Sequence, residues 1–360
     1  MALIKSPRHL DIEITSQCNL RCKYCYFFDS DHAIQELSTE EWLTFFDELG
    51  SIQVMDVTLA GGEPFYRKDF KKLINGIVRN RMRFTILSNG GLITDELAGF
   101  IAETGRCDSV QISLDGGSAE RHDVFRGKGS FDAAVHGIRM LQKHNIDIDI
   151  RLTLHHKNVK HIPEAAHFIL DTLGLYWFSV NSAGYMGTCK SYSEDIQLTT
   201  EDRVIAMRTL LDLQKEYPDR ITATAGPLAE AKYWRSMIEA RAAGKPATSG
   251  RLTACGCYFR KLAVQSDGSI VPCNLLPTVV LGKVNKDSVQ DIWQNSDLLN
   301  SLRNRSKISL REFEMCQDCD YLDYCTGNCP GLAVSISGEV NHPAPDACLK
   351  KFLESGGIVP

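Results

Sequence analysis

Through its first half the chain switches repeatedly between two hydrophobic periods, and this constrains the fold more than any other feature. His9–Thr15 alternates apolar and polar residues (Leu10, Ile12, Ile14), as a strand does, while Thr39–Leu49 has helical spacing behind a capping Ser38 or Thr39. The pattern repeats as strands at Val54–Ala60, Phe84–Leu87, Ser109–Leu114, Asp147–Leu154 and Tyr176–Asn181. Helices at Phe70–Arg79, Thr94–Glu103, Ser130–Lys143 and Pro163–Leu173 separate them. Strands separated by helices pair in parallel through right-handed crossovers. The class is therefore α/β, as an open doubly wound sheet or a curved partial barrel; element order alone does not choose between them.

After Gly184 the pattern changes. Two helices, Thr199–Tyr217 and Leu228–Ala243, are expected with no strand between them. A loop rich in Gly, Pro, Ser and Thr follows, and the remainder is short strands, turns and cysteines with one helix at Val289–Arg303. We expect three regions, 1–190, 191–250 and 251–360. The 360 residues, 43% hydrophobic and 24% charged, supply a real core. A net charge of −5 speaks against a dedicated nucleic-acid binder. No apolar run is long enough to span a membrane and no signal core opens the chain, so a cytoplasmic location is expected.

In a reducing compartment thirteen cysteines point to metal rather than disulfides. Cys107 and Cys189 stand alone and read as small buried hydrophobes. Cys18-x3-Cys22-x2-Cys25 directly follows the first strand, at the carboxyl edge where parallel folds gather ligands. Three such thiolates can hold three irons of a cluster and leave a fourth open. A zinc site completed by another side chain, such as His32, is the alternative.

The run Cys18-Asn19-Leu20-Arg21-Cys22-Lys23-Tyr24-Cys25 resembles the signature of radical S-adenosylmethionine (SAM) enzymes. Gly61-Gly62-Glu63-Pro64 resembles the GGEP motif of that family, and Ser88-Asn89-Gly90 and Ile112-Ser113-Leu114-Asp115-Gly116 resemble its third and fourth strand ends. The resemblance implies a partial (β/α)6 barrel in which the open iron chelates SAM and one electron cleaves it to a 5′-deoxyadenosyl radical. It also implies roles. Glu63 would meet the methionyl ammonium, with Gly61, Gly62 and Pro64 shaping the turn. Ser113 and Arg151 would meet the carboxylate, Ser88 and Asn89 the ribose, and Tyr24 the adenine, with Asp115 nearby.

The tail cysteines, Cys255-x-Cys257, Gly268-x4-Cys273, Cys316-x2-Cys319-x5-Cys325-x3-Cys329 and Cys348, resemble the SPASM extension of radical SAM enzymes that act mainly on peptides and proteins. By that resemblance Cys255, Cys257, Cys273 and Cys329 hold one auxiliary cluster and Cys316, Cys319, Cys325 and Cys348 another, making three [4Fe–4S] clusters in all. A zinc ribbon is the rival for the tail alone. The expected activity is hydrogen abstraction from a peptide or protein, most simply in maturation of a ribosomally made peptide by crosslinking, epimerisation or oxidation. A flavodoxin- or ferredoxin-type electron donor is expected. Because the first strand begins near residue 9, either a separate leader-recognition protein or recognition without a leader is also expected.

Alternatives are tetrapyrrole (haem or haem d1) synthesis, sulfatase maturation and a non-catalytic scaffold. Sulfatase maturases place an aspartate after the Gly-x4-Cys cysteine, where this chain has Asn274, and an amide is no base. No catalytic residue is named from sequence. His122, Asp123 and Arg126 follow a strand end and either face the cavity or sit in a solvated loop.

Overall fold

The computed structural model describes residues 4–27, 34–247 and 249–360. Six strands run in parallel: β1 (His9–Thr15), β2 (Asp56–Gly61), β3 (Arg83–Ser88), β4 (Cys107–Ser113), β5 (Ile148–Leu154) and β6 (Phe178–Ser182). The helices between them are α1 (Thr39–Ser51), α2 (Phe70–Arg79), α3 (Asp95–Glu103), α4 (Ala119–Arg126), α5 (Ser130–Lys143) and α6 (Ile162–His167). A reciprocal cap fixes the start of α1, where Ser38 Oγ accepts from Glu41 N at 3.2 Å and Ser38 N donates to Glu41 Oε2 at 2.8 Å.

The faces of the sheet decide between the two α/β architectures. Leu10, Ile12, Val57, Leu59, Phe84, Ile86, Val110, Ile112, Ile150 and Phe178 all enter one core with Trp42, Phe45 and Leu73 of the helices. The intervening positions carry His9, Asp11, Glu13, Thr58, Gln111, Arg151 and Asn181. A doubly wound sheet buries both faces under helices. One apolar and one polar face instead match a sheet wrapped around a polar lumen.

The sheet departs from expectation at both ends. A seventh parallel strand, β7 (Ile221–Ala223), follows a turn with Asp219 at φ 62° and pairs with β6 where the sequence pattern predicts none. Three residues are too few to display a period. At the other edge β8 (Lys261–Val264) adds in parallel to β1, with His9 opposite Lys261 and Ile12 opposite Val264. It continues antiparallel to β9 (Ser269–Val271) and then β10 (Gly282–Lys283). The tail and the front half thus share one sheet, ordered β10-β9-β8-β1-β2-β3-β4-β5-β6-β7.

Two more differences are local. The expected helix at 289–303 is two, Val289–Asn295 and Asp297–Arg303, because Ser296 caps the second. Residues 119–126 form α4, not a solvated loop, burying His122, Phe125 and Arg126. Beyond β10 regular structure is sparse, and buried arginines knit the chain. Arg303 donates to the Tyr258 and Trp293 carbonyls at 2.9 and 2.7 Å, and Arg305 to those of Thr253 and His342. No described helix is long and apolar enough to cross a membrane.

Candidate active site and cysteine centres

The loop after β1 carries Cys18, Cys22 and Cys25, each half-buried and free of disulfides. Neighbouring segments hold its backbone. Thr188 donates from Oγ1 to the Cys22 carbonyl and from its amide to that of Cys25, both at 3.0 Å, and Lys23 N donates to Phe125 O at 3.0 Å. The thiols receive N–H groups: Leu20 N at 3.4 Å and Asn89 Nδ2 at 3.8 Å both reach Cys18 Sγ. Burial pushes the Cys22 thiol up to about 11 and raises that of Cys18. His32 lies outside the described residues.

The glycine turn after β2 is required by contact with this loop. A Cβ on Gly62 would lie 2.1 Å from Gln17 O, and one on Gly61, at φ +124°, would lie 2.1 Å from Thr15 O. The approach is cemented by Gly62 N to Thr15 O and Glu63 N to Gln17 O, both 2.8 Å. Glu63, fully buried, accepts from Ser88 Oγ at 2.9 Å, Asn89 N at 2.8 Å and Phe65 N at 3.2 Å. Burial pushes its carboxyl up to about 7 against those donors. Pro64 opens the short turn of helix that follows. Glu63 therefore ties the ends of β2 and β3 together, and Ser88 is committed to it. Asn89 bridges to Asn19 Oδ1 at 2.8 Å.

Tyr24 and Asp115 meet in a network that sequence reasoning did not assemble. Asp115 Oδ2 accepts from the Tyr24 hydroxyl and from Arg126 Nε, and Oδ1 from Thr153 N at 2.9 Å. The Asp115 amide donates to His122 Nδ1 at 3.1 Å, and Asn158 Nδ2 donates to the Asp115 carbonyl at 3.0 Å. Desolvation opposes the charge, but Arg126 and His122 hold the Asp115 carboxyl below its ordinary range. Desolvation also lowers His122 and His155 to about 4. The Arg126 guanidinium lies 5.3 Å from the Tyr24 ring centre, and the His155 ring stacks on that of Tyr24 at 5.8 Å. His122 and Arg126 thus sit inside the protein behind the cysteine loop. Asp123 instead accepts from Gly129 N at 2.6 Å and Phe131 N at 2.9 Å at the start of α5. The sequence signal was present in the short stretch 122–126, but without a helix assignment its buried face was hidden.

Ser113 closes β4 opposite Arg151 of β5. Arg151 bonds Gln111 Oε1 at 3.3 and 3.4 Å, and among the described residues no carboxylate lies within ion-pair distance of it.

The tail cysteines gather in two groups. Cys257 Sγ lies 3.1 Å from Cys255 Sγ. Hydrogen bonding to Cys257 pulls Cys255 down to about 6 and Cys273 to about 7, while raising Cys257 itself. Cys329 senses the charges of Cys273 and Cys255. Cys316, Cys319, Cys325 and Cys348 line one small apolar cavity with Trp234 and Leu349. Among the described residues no three His, Cys, Asp or Glu side chains converge on a point as they would around a single ion. All-thiol sets without histidine or carboxylate suit iron–sulfur clusters, which are larger than one ion.

Comparison with known proteins agrees. The radical SAM superfamily model matches residues 12–169, and the iron–sulfur cluster-binding SPASM domain matches 255–320. Cys325, Cys329 and Cys348 lie past the second match, yet the structure returns them to the other tail cysteines. The chain is 27% identical over 354 residues to the AdoMet-dependent heme synthase of Methanosarcina barkeri, covering 96% of this chain and 97% of the relative. To the mycofactocin maturase MftC of Mycolicibacterium smegmatis it is 28% identical over 350 residues, covering 95% and 83%. Its structure matches that of Streptococcus suis SuiB bound to the precursor peptide SuiA, with a TM-score of 0.71 at 17% identity, over 96% of this chain and 77% of that one. Thiol sets, strand ends and family matches converge: the chain belongs to the radical SAM superfamily of enzymes, whose cofactors are SAM and iron–sulfur clusters, and carries a C-terminal SPASM domain.

Proposed function

We propose that this enzyme abstracts hydrogen from a peptide or protein; one relative is named a mycofactocin maturase, another a PqqA peptide cyclase, and the structural match SuiB holds a precursor peptide. The observation that carries this is a cavity of about 150 Å³ lined by Glu13, Tyr26, Phe27, Asp267 and Asn274, residues that include the chain neighbours of Cys25 and Cys273. It holds about five waters at their liquid volume, or one amino-acid side chain, and is far smaller than a macrocycle. No lysine or arginine is among its lining residues, so nothing there matches the carboxylates of a tetrapyrrole.

Cys18, Cys22 and Cys25 would hold the SAM-binding cluster, Cys255, Cys257, Cys273 and Cys329 one auxiliary [4Fe–4S] cluster, and Cys316, Cys319, Cys325 and Cys348 the other. When bound, the first centre and SAM supply the 5′-deoxyadenosyl radical. The chain's own contribution is placement. Arg151, beside Ser113, would meet the SAM carboxylate. The Gly61–Pro64 turn, Ser88 and Asn89 would complete the site. Tyr24 and Asp115 act through the loop they anchor. A flavodoxin- or ferredoxin-type donor would deliver the electron.

The relative named an AdoMet-dependent heme synthase, aligned nearly end to end, supports a second reading: synthesis of haem from an iron tetrapyrrole. One experiment separates the two. Anaerobically reconstituted enzyme with SAM and dithionite is offered either short peptides encoded beside its gene or iron–coproporphyrin III. 5′-Deoxyadenosine with a peptide mass change is expected. Nucleoside coupled to a mass change in the porphyrin overturns the peptide reading, and no nucleoside with either overturns both.

A further inference from the structure

The same cavity holds a carboxyl group without a partner. Glu13, on the lumen side of β1, is 4% exposed and lines the cavity with Tyr26, Asp267 and Asn274. The neighbouring charges are matched. Asp11 pairs with Lys261 at 2.5 Å and His9 at 3.0 Å, and Asp267 pairs with Lys283 at 2.8 Å while also accepting from Ser269 N at 2.8 Å. Glu13 makes no hydrogen bond or ion pair among the described residues. Its nearest charges, Asp11, Asp267 and Cys273, are all of its own sign. A second acceptor, on a residue that lines the cavity, is also unmet, because Asn274 Oδ1 is buried without a donor.

A buried acceptor left unpaired is costly, and a charged one more so. Two such acceptors at one cavity define a site that is incomplete until a donor arrives. We infer that this cavity is the subsite for one donor-bearing side chain of the peptide, with a lysine or arginine cation preferred, Glu13 as its anchor and Asn274 as the second acceptor. The inference rests on the peptide reading and names its substrate class. A guanidinium or ammonium would supply the counter-charge missing around Glu13, and its apolar stem would lie against Tyr26 and Phe27. A wholly apolar side chain leaves both acceptors unmet, and an ionised acidic one adds to the negative charge of Asp11 and Asp267.

The test needs no turnover, so its outcome is separate from that of the peptide assay. Anaerobically reconstituted enzyme is titrated at pH 9, where Glu13 is ionised, with n-butylguanidinium, n-butylamine and n-butyramide, and binding is followed by saturation-transfer NMR. The two cations are expected to bind at least about tenfold more tightly than the amide, and Glu13→Gln is expected to abolish that preference with iron content unchanged. Should Glu13→Gln fail to retain iron, Glu13→Asp carries the test, keeping the preference with weaker binding. Equal affinity for all three probes, or a preference that survives Glu13→Gln, overturns the inference and leaves ordered water as the partner of Glu13.

Discussion

Replacing Asp115 by asparagine removes one charge and almost no volume, so its effect isolates the electrostatics behind the cysteine loop. Asp115 and Arg126 are 1% and 8% exposed, and the carboxylate is the shared acceptor of Tyr24, Arg126 and Thr153. Asparagine leaves a guanidinium buried without a counter-charge and offers one oxygen to three donors. Breaking a buried ion pair from one side costs about 3–5 kcal/mol, which corresponds to roughly two to four decades in a local opening constant. A protein of several units and cofactors does not unfold in one step, so the measurement is hydrogen exchange by mass spectrometry on the apoprotein. Peptides covering residues 22–27 and 153–158 should lose protection while those in α2 do not.

The sign with pH is fixed by the depressed carboxyl. The contribution of Asp115 is present above the ordinary aspartate value and is lost as the pH falls through its lower folded value. Removing both charges with Asp115→Asn and Arg126→Met together should cost less than Asp115→Asn alone. If Asp115→Asn leaves exchange within about threefold, or the pair removal costs more than the single change, the reasoning about burial is wrong.

Glu13, pushed up to about 8 by burial, gives the opposite pH signature. Its folded form is stable while protonated and loses stability as the pH rises from the ordinary glutamate value through 8, so Glu13→Gln should raise the melting temperature at pH 9 and leave it nearly unchanged at pH 5. Gly62→Ala, with its Cβ 2.1 Å from the Gln17 carbonyl, should displace the cysteine loop and reduce iron bound at the first centre. Gly174→Ala, at φ +69° with open space around it, should cost only about 1 kcal/mol. Alanine at Cys18, Cys22 and Cys25 together should leave the iron of the tail in place, and alanine at Cys316 and Cys319 should leave that held with Cys255 and Cys257. Iron analysis and electron paramagnetic resonance check both, and loss of all iron in either variant would refute separable centres.

The front half of the fold is legible because each element is long enough to display its period. The strand predicted at His9–Thr15 and the helices predicted at Phe70–Arg79 and Ser130–Lys143 have those bounds in the structure. Periodicity fails where elements are short or polar. β7 has three residues, and α4, reading Ala-Glu-Arg-His-Asp-Val-Phe-Arg, buries a histidine and an arginine on its inner face. The cysteine groups follow from spacing and resemblance; the structure sets Cys255 beside Cys257 and gathers Cys316, Cys319, Cys325 and Cys348 at one cavity. Glu13 was illegible for another reason: a carboxylate at an alternating strand position reads as solvent-facing until the lumen around it is built.

The pairing of β1 with β8 joins positions about 250 residues apart in the chain. During synthesis the first strand acquires its helix-side packing and its β2 partner early, yet its other edge stays open until Val264 has emerged. An unpaired strand edge invites pairing with a neighbouring molecule, and contacts this distant close slowly. The thiols that follow β1 are therefore presented on a half-finished edge for most of translation. A ribosome stalled near residue 250 should yield aggregates, whereas one stalled beyond the β9 turn should not.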